Sequence, residues 1–404
     1  MIRNSFAGLT RNTFLLALSS LFGDISTEML YPVLPVFLTQ TLKATGSIVG
    51  LVDGFAQAAQ NIVQGFSGAL SDKLQRRKPI ALVGYLVAAL AKPLMGLATM
   101  WEHVLGARLL DRLGAGSRSA PRDALVASSV AEENRGKAFG LESLGDNAGA
   151  FLGPLVALLL LYSAHVAIRT VFYLAVIPGL LAFFMILLVS EPRAAAATLA
   201  KSRLDVGLGQ FPPEYRRYLL VTAIFGLGNS SNAFLLLRLQ DAGVTLHDTM
   251  LVYAAFNLVA ALISYPAGAL SDTWGRRALL LASFAIFLLA YTGFALRPGP
   301  VLVGSAFVFY GLYQGIYRAV GKALAADFAP TRLRASGVGW YSTTVGVQQL
   351  VASVVAGIMW DRLSHAAVFY YGAACAMAGL IGLLAWVPAD SRQASRVLSD
   401  EPDG

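Results

Sequence analysis

Apolar residues gather in about twelve blocks of near-spanning length, separated by short polar segments. A hydrocarbon core ~30 Å thick needs about 20 residues of helix. The first six blocks lie at approximately 13–38, 48–70, 79–98, 103–127, 138–162 and 170–190. The one long polar connection, Glu191 to Arg217, follows. Six more blocks lie at approximately 218–239, 248–270, 278–296, 301–326, 336–360 and 367–388, and a polar tail, Ala389 to Gly404, closes the sequence. This pattern predicts an all-α integral membrane protein with about twelve transmembrane helices. Arg3 and Arg11 precede the first block as in a signal peptide, but that block is too long and no cleavage-like site follows, so it counts as a helix. The expected organisation is an N-terminal bundle over 1–190, a cytoplasmic linker over 191–217, a C-terminal bundle over 218–388 and a cytoplasmic tail over 389–404.

Composition agrees with the pattern. Of 404 residues, 56% are apolar and 13% charged, against roughly 45–50% and about 25% in soluble domains. That balance excludes a water-soluble enzyme. The 39 glycines suit helices that must approach closely where no hydrophobic force drives them together. A single cysteine, Cys375, allows no internal disulfide. The net charge of +8 includes no basic run clear of the apolar blocks, so it points away from nucleic acid. It orients the chain instead. With a cytoplasmic N-terminus, the inner segments hold Arg3, Arg11, Lys73, Arg76, Arg77, Lys78, Arg135, Lys137, Arg193, Lys201, Arg203, Arg216, Arg276, Arg277, Arg332, Arg334, Arg392 and Arg396. The outer segments carry little beyond Lys43, Arg169, Arg297 and Arg362. The positive-inside rule therefore predicts a cytoplasmic (inner) membrane protein with both termini inside. All four histidines then fall at outer loops or span ends and read as interfacial residues.

The two halves repeat each other. Gly68-Ala-Leu-Ser-Asp72-Lys-Leu-Gln-Arg76-Arg77 returns as Gly268-Ala-Leu-Ser-Asp272-Thr-Trp-Gly-Arg276-Arg277 after the second span of each half. Arg118 and Arg122 on the fourth span match Arg318 and Lys322 on the tenth, and Arg135-Gly and Arg334-Ala occupy equivalent loops. Two pseudo-symmetric six-helix bundles, related by an axis along the membrane normal, are the architecture of a secondary transporter with its site near the midplane.

The duplicated Gly-x-x-x-Asp-x-x-x-Arg-Arg loop resembles the signature loop of the major facilitator superfamily, and the resemblance covers essentially the whole chain. Gly149-Ala-Phe-Leu-Gly153-Pro154 on the fifth span resembles the antiporter motif of proton-coupled drug exporters, and Asp24 through Tyr31-Pro32-Val-Leu-Pro35 is similar to another exporter pattern. Arg108-Leu-Leu-Asp111-Arg112-Leu-Gly114 departs from the fourth-span motif, with Asp111 and Arg112 where exporters usually carry glutamine and glycine. The resemblance implies a gating role for Gly68, Asp72, Arg76, Arg77, Gly149, Gly153, Pro154, Gly268, Asp272, Arg276 and Arg277, with the loops acting as an inner latch. It also implies a cavity lined from spans one, four, seven and ten. The residues placed there are Tyr31, Arg118, Arg122, Asn229, Asn232, Tyr310, Tyr313, Gln314, Tyr317, Arg318 and Lys322, with Gln57, Gln60, Asn61 and Gln64 of span two nearby.

Charges inside spans are costly, at least ~2.5–3.5 kcal/mol each on the insertion scale unless they face a partner or water. Here they come one helical turn apart: Asp24 with Glu28, Glu142 with Asp146, Arg118 with Arg122, and Arg318 with Lys322. Two carboxylates on one face of a poorly solvated bundle repel each other, which suits a proton carrier. Arg108, Asp111 and Arg112 lie close enough along one helix to neutralise each other locally, a purely structural role. Tyr310, Tyr313 and Tyr317 recur at helical spacing and serve equally for stacking on a flat solute or for helix packing.

The expected function is proton-coupled secondary transport of a small organic solute by a monomer surrounded by lipid, most simply export. Alternatives are transport of an anionic metabolite, a metal chelate or a divalent cation, and a non-transporting receptor. No metal-spaced His/Cys set, phosphate loop or nucleophile elbow argues for an enzyme, and no cofactor or resident metal is expected.

Overall fold

The computed structural model describes residues 8–74, 76–131, 134–191, 207–296, 299–330 and 333–388. All regular structure among them is helical. Helices fall on every predicted block, and among the described residues seven are long and apolar enough to cross a membrane by length and composition alone. The fourth block is helical over Trp101–Ser128 but is not among those seven, because charge and small polar residues lower its hydropathy.

Two blocks predicted as continuous helices are broken over several residues, at corresponding places. The first runs as Arg11–Glu28 and resumes as Leu34–Val36 with a π-helical turn over Phe37–Thr41. Pro32 and Pro35 withhold backbone donors there. The seventh runs as Pro213–Gly226 and resumes as Asn232–Asp241, with the Ser231 hydroxyl accepting from the Ala233 N–H at 3.0 Å as an N-cap. It begins at Pro213 rather than 218, so the polar connection is shorter than the sequence alone indicates. Broken spans free backbone and side-chain groups near mid-membrane, which is where transporter sites are built.

The chain divides into two compact units, Met1–Ser202 with Leu246–Ala254, and Arg203–Thr245 with Ala255–Gly404. Each repeats one pairing scheme. In unit 1, the first span packs on the fifth and sixth, and the third on the fourth and sixth. In unit 2, the seventh packs on the eleventh and twelfth, and the ninth on the tenth and twelfth. Glycines set the closest approaches. A Cβ on Gly145, Gly149 or Gly153 of the fifth span would collide with backbone of the first span, at Ala17, Leu21 and Met29 respectively. This ridge, one glycine per turn, brings the two backbones together.

The turns after the second span of each half also match. Arg77 Nη1 donates to the Ala124 carbonyl at 3.4 Å and Lys78 Nζ to Leu187 at 2.8 Å. In unit 2, Arg276 Nη1 donates to Ala323 at 2.7 Å and Arg277 Nη2 to Leu384 at 2.8 Å. The basic residues thus satisfy carbonyls near helix C-termini. Unit 1 adds a cap the sequence did not reveal: Glu191 accepts from the Arg77 and Lys78 backbone N–H groups at 2.6 and 3.3 Å, at the start of the third span.

Candidate transport site

Intramembrane charge is concentrated in unit 1, in two layers strung along the fourth span. The layer nearer the Arg77 turn centres on Arg122. Its Nη2 lies 2.8 Å from Glu142 Oε1 and 3.1 Å from Asp123 Oδ1, and its Nη1 lies 3.4 Å from Asp146 Oδ1. The Ser20 hydroxyl accepts from Arg122 Nη1 at 3.0 Å and donates to Glu142 at 2.9 Å. One turn away, Arg118 stands 4.0 Å from Asp24 and lies over the Tyr85 ring at 4.1 Å. From sequence, Asp24 and Glu28 have no local counter-charge. The fold supplies one for Asp24 from another helix. Glu28 accepts from the Tyr253 hydroxyl at 2.9 Å, and Tyr253, part of the same unit, stacks on Tyr31 with ring centroids 5.4 Å apart.

The glycine ridge stands directly behind these acids. A Cβ on Gly149 would sit 2.7 Å from the Asp24 Cβ, and one on Gly153 would sit 2.9 Å from the Glu28 Cβ. Pro154 follows as a buried residue inside the fifth span. The fifth-span motif therefore positions the first-span carboxylates as well as the helix that bears them.

The second layer lies toward the other end of the bundle. Asp111 is shared by three cations, Lys92 at 3.0 Å, Arg108 at 3.1 Å and Arg112 at 3.1 Å. Arg108 also pairs with Asp53 at 3.3 Å, and Tyr31 donates to Asp53 at 3.1 Å. The expected local neutralisation of Arg108, Asp111 and Arg112 is present, but it extends to Asp53 and Lys92, which pattern reading passed over. A lone ionisable residue inside an apolar run was the available signal.

Unit 2 has a different character. Tyr310 and Tyr313 are 2% and 1% exposed and Tyr317 is 9% exposed, so helix packing accounts for their spacing: they sit in an aromatic core with Phe225, Phe284, Phe287 and Tyr291. Phe225 and Phe284 stack with centroids 3.8 Å apart. Their hydroxyls still meet the break in the seventh span. Asn229 Nδ2 donates to Tyr313 at 3.0 Å, and the Tyr310 hydroxyl donates to Asn232 at 2.7 Å. Gln314, oriented to accept, takes a hydrogen bond from Arg318 Nε at 3.1 Å. Arg318 and Lys322 are exposed and Arg122 is engaged by three carboxylates, so the four basic residues expected to act together differ sharply in their surroundings. Arg76 is exposed and Gly268 has open space around it. The surroundings of Gly68 and the side chains of Asp72 and Asp272 lie outside what the structure describes.

The sequence pattern of the Major Facilitator Superfamily matches residues 16–215 and 218–403. An uncharacterized MFS-type transporter of Methanocaldococcus jannaschii is 32% identical over 382 residues, covering 93% of this chain and 94% of that protein. The quinolone resistance protein NorA of Staphylococcus aureus is 28% identical over 191 residues, 47% of this chain and 48% of NorA. Among solved structures, a variant of the nucleoside transporter NupG superposes with a TM-score of 0.79 at 15% identity, covering 93% of this chain and 100% of that one. A D-xylose–proton symporter gives 0.74 at 16% identity, with coverage of 95% and 99%. The broken first and seventh spans, the repeated pairing scheme and these matches lead to one conclusion: the chain belongs to the major facilitator superfamily and is a multi-pass secondary transporter rather than an enzyme.

Proposed function

We propose that this transporter is a proton-coupled antiporter that exports a small organic solute by alternating access, as a monomer in the cytoplasmic membrane with both termini inside. The observation that carries the reading is the crowding of carboxylates around too few arginines in unit 1. Among the described residues, the cations paired with Asp24, Asp123, Glu142 and Asp146 are Arg118 and Arg122. In a poorly solvated bundle a surplus of carboxylates has a place for a proton, and any rearrangement of Arg122 changes which acid holds it. Asp24 and Asp146 are the carriers in this scheme. Glu28, which accepts a hydrogen bond from the Tyr253 hydroxyl, has a lesser part. Antiport is supported by the Gly149 to Pro154 segment, which packs against the helix bearing Asp24, and by the partial similarity to NorA.

The test is solute flux in proteoliposomes with and without an imposed pH gradient. Asp24→Asn and Asp146→Asn should abolish gradient-driven accumulation and spare solute exchange, which needs the cavity but no proton release. Glu28→Gln should be milder. Accumulation by the double variant at the wild-type rate places the proton elsewhere.

A further inference from the structure

The layer around Asp111 does not balance. Lys92, Arg108 and Arg112 face Asp53 and Asp111, three positive charges against two negative. Lys92 and Arg108 spend their charge at hydrogen-bonding distance from these carboxylates. Arg112 differs. Its Nε lies 3.1 Å from Asp111 without making a hydrogen bond, its Nη1 donates to Gln60 Oε1 at 3.0 Å, and its Nη2 is buried with no hydrogen-bond partner among the described residues. The residue is only 8% exposed. A guanidinium N–H out of water and without an acceptor is expensive.

The surroundings of that N–H are prepared for a polar visitor. Gly116, one turn along the fourth span, brings that helix against the Gln60 backbone, and a Cβ there would meet the Gln60 carbonyl at 2.5 Å. This approach holds the Gln60 side chain on Arg112. The Gln60 amide oxygen accepts from Nη1, and the same amide carries N–H donors. Gln57, Asn61 and Gln64 continue a half-buried polar stripe along the second span.

We infer that Arg112 and Gln60 form a binding point for the carboxylate or phosphate group of an anionic solute. The anion supplies the missing negative charge and an acceptor for the buried guanidinium N–H. The inference names a solute class for the transporter proposed above and rests on that reading for its physiological meaning.

The test uses the purified full-length protein in lipid nanodiscs, in dilute Tris–HEPES buffer whose sulfonate is the one background anion, read by thermal unfolding. Sodium benzoate and inorganic phosphate are the probes, and benzamide is the neutral control. At millimolar concentration either anion should raise the wild-type Tm by a few degrees, whereas benzamide should not. A shift with benzoate alone assigns an organic carboxylate, and one with phosphate alone assigns a phosphate group. Arg112→Gln should remove the shift and raise the Tm of the ligand-free protein. Gln60→Glu places a carboxylate beside Arg112 and should also raise the ligand-free Tm while abolishing the response to added anion. If neither anion shifts the wild type and both substitutions lower its Tm, the layer is a structural brace and the inference fails. No pH gradient is involved, so that failure leaves proton coupling untouched. Loss of gradient-driven flux with the anion shift intact overturns only the coupling.

Discussion

Arg122 is the most heavily engaged cation in unit 1, at 2.8 Å from Glu142, 3.1 Å from Asp123 and 3.4 Å from Asp146. Removing it leaves carboxylates facing one another. Breaking a fully buried pair costs about 3–5 kcal/mol. Asp146 retains 33% exposure, so Arg122→Gln should cost less, about 2–4 kcal/mol, visible as a lowered Tm and a loss of transport. A similar argument ranks substitutions in the other layer. Asp111 is shared by three cations, whereas Lys92 is one of the three around it, so Asp111→Asn should lower the Tm far more than Lys92→Met. Equal effects would show that the layer is not organised around Asp111. The acid pairs one turn apart were legible in the sequence because a helix fixes that spacing. Their partners were not. Arg118 reaches Asp24, and Lys92 reaches Asp111, across helices, and single-chain spacing carries no information about which helices touch.

At the scale of elements, the fifth span is fitted to the first through Gly145, Gly149 and Gly153. Gly149→Leu should therefore separate the two helices, displace Asp24 and abolish transport with a marked fall in Tm. Gly106→Leu is the matched control, since nothing lies within 4 Å of a Cβ at that position, and it should be close to neutral. If both variants transport alike, close packing of the first and fifth spans is not what positions Asp24. The element boundaries were mostly legible, because twelve apolar blocks dictate twelve helical segments. The breaks were not, even though Pro32 and Pro35 marked the first. Between Gly226 and Asn232 the cue was weaker, a Gly-Leu-Gly-Asn-Ser-Ser run inside an apolar block. Its consequence is that Asn229 lies between helices, where its amide meets Tyr313.

For the whole molecule, the repeat was the most informative feature of the sequence. It anticipated two units of one design, and the structure shows the same helix pairings and the same arginine-to-carbonyl contacts in each, Arg77 with Ala124 and Arg276 with Ala323. The repeat does not extend to chemistry. Unit 1 buries most of the carboxylates and cations, while unit 2 buries most of the tyrosines and phenylalanines, with Arg238 as its buried cation. Topology gives a separate prediction. The inner concentration of lysine and arginine places both ends of the chain in the cytoplasm, so a C-terminal green fluorescent protein fusion should fluoresce and a C-terminal alkaline phosphatase fusion should be inactive. The reverse pattern would invert the orientation.

The central claim is that unit 1 carries the proton that drives the solute. Its most direct test is a pH-sensitive dye inside proteoliposomes, with a solute that binds the purified protein added to an imposed pH gradient. The account predicts solute-stimulated proton movement in the wild type, none with Asp24→Asn combined with Asp146→Asn, and preserved solute exchange in that double variant. Solute accumulation without proton movement, or unchanged proton movement in the double variant, would contradict it.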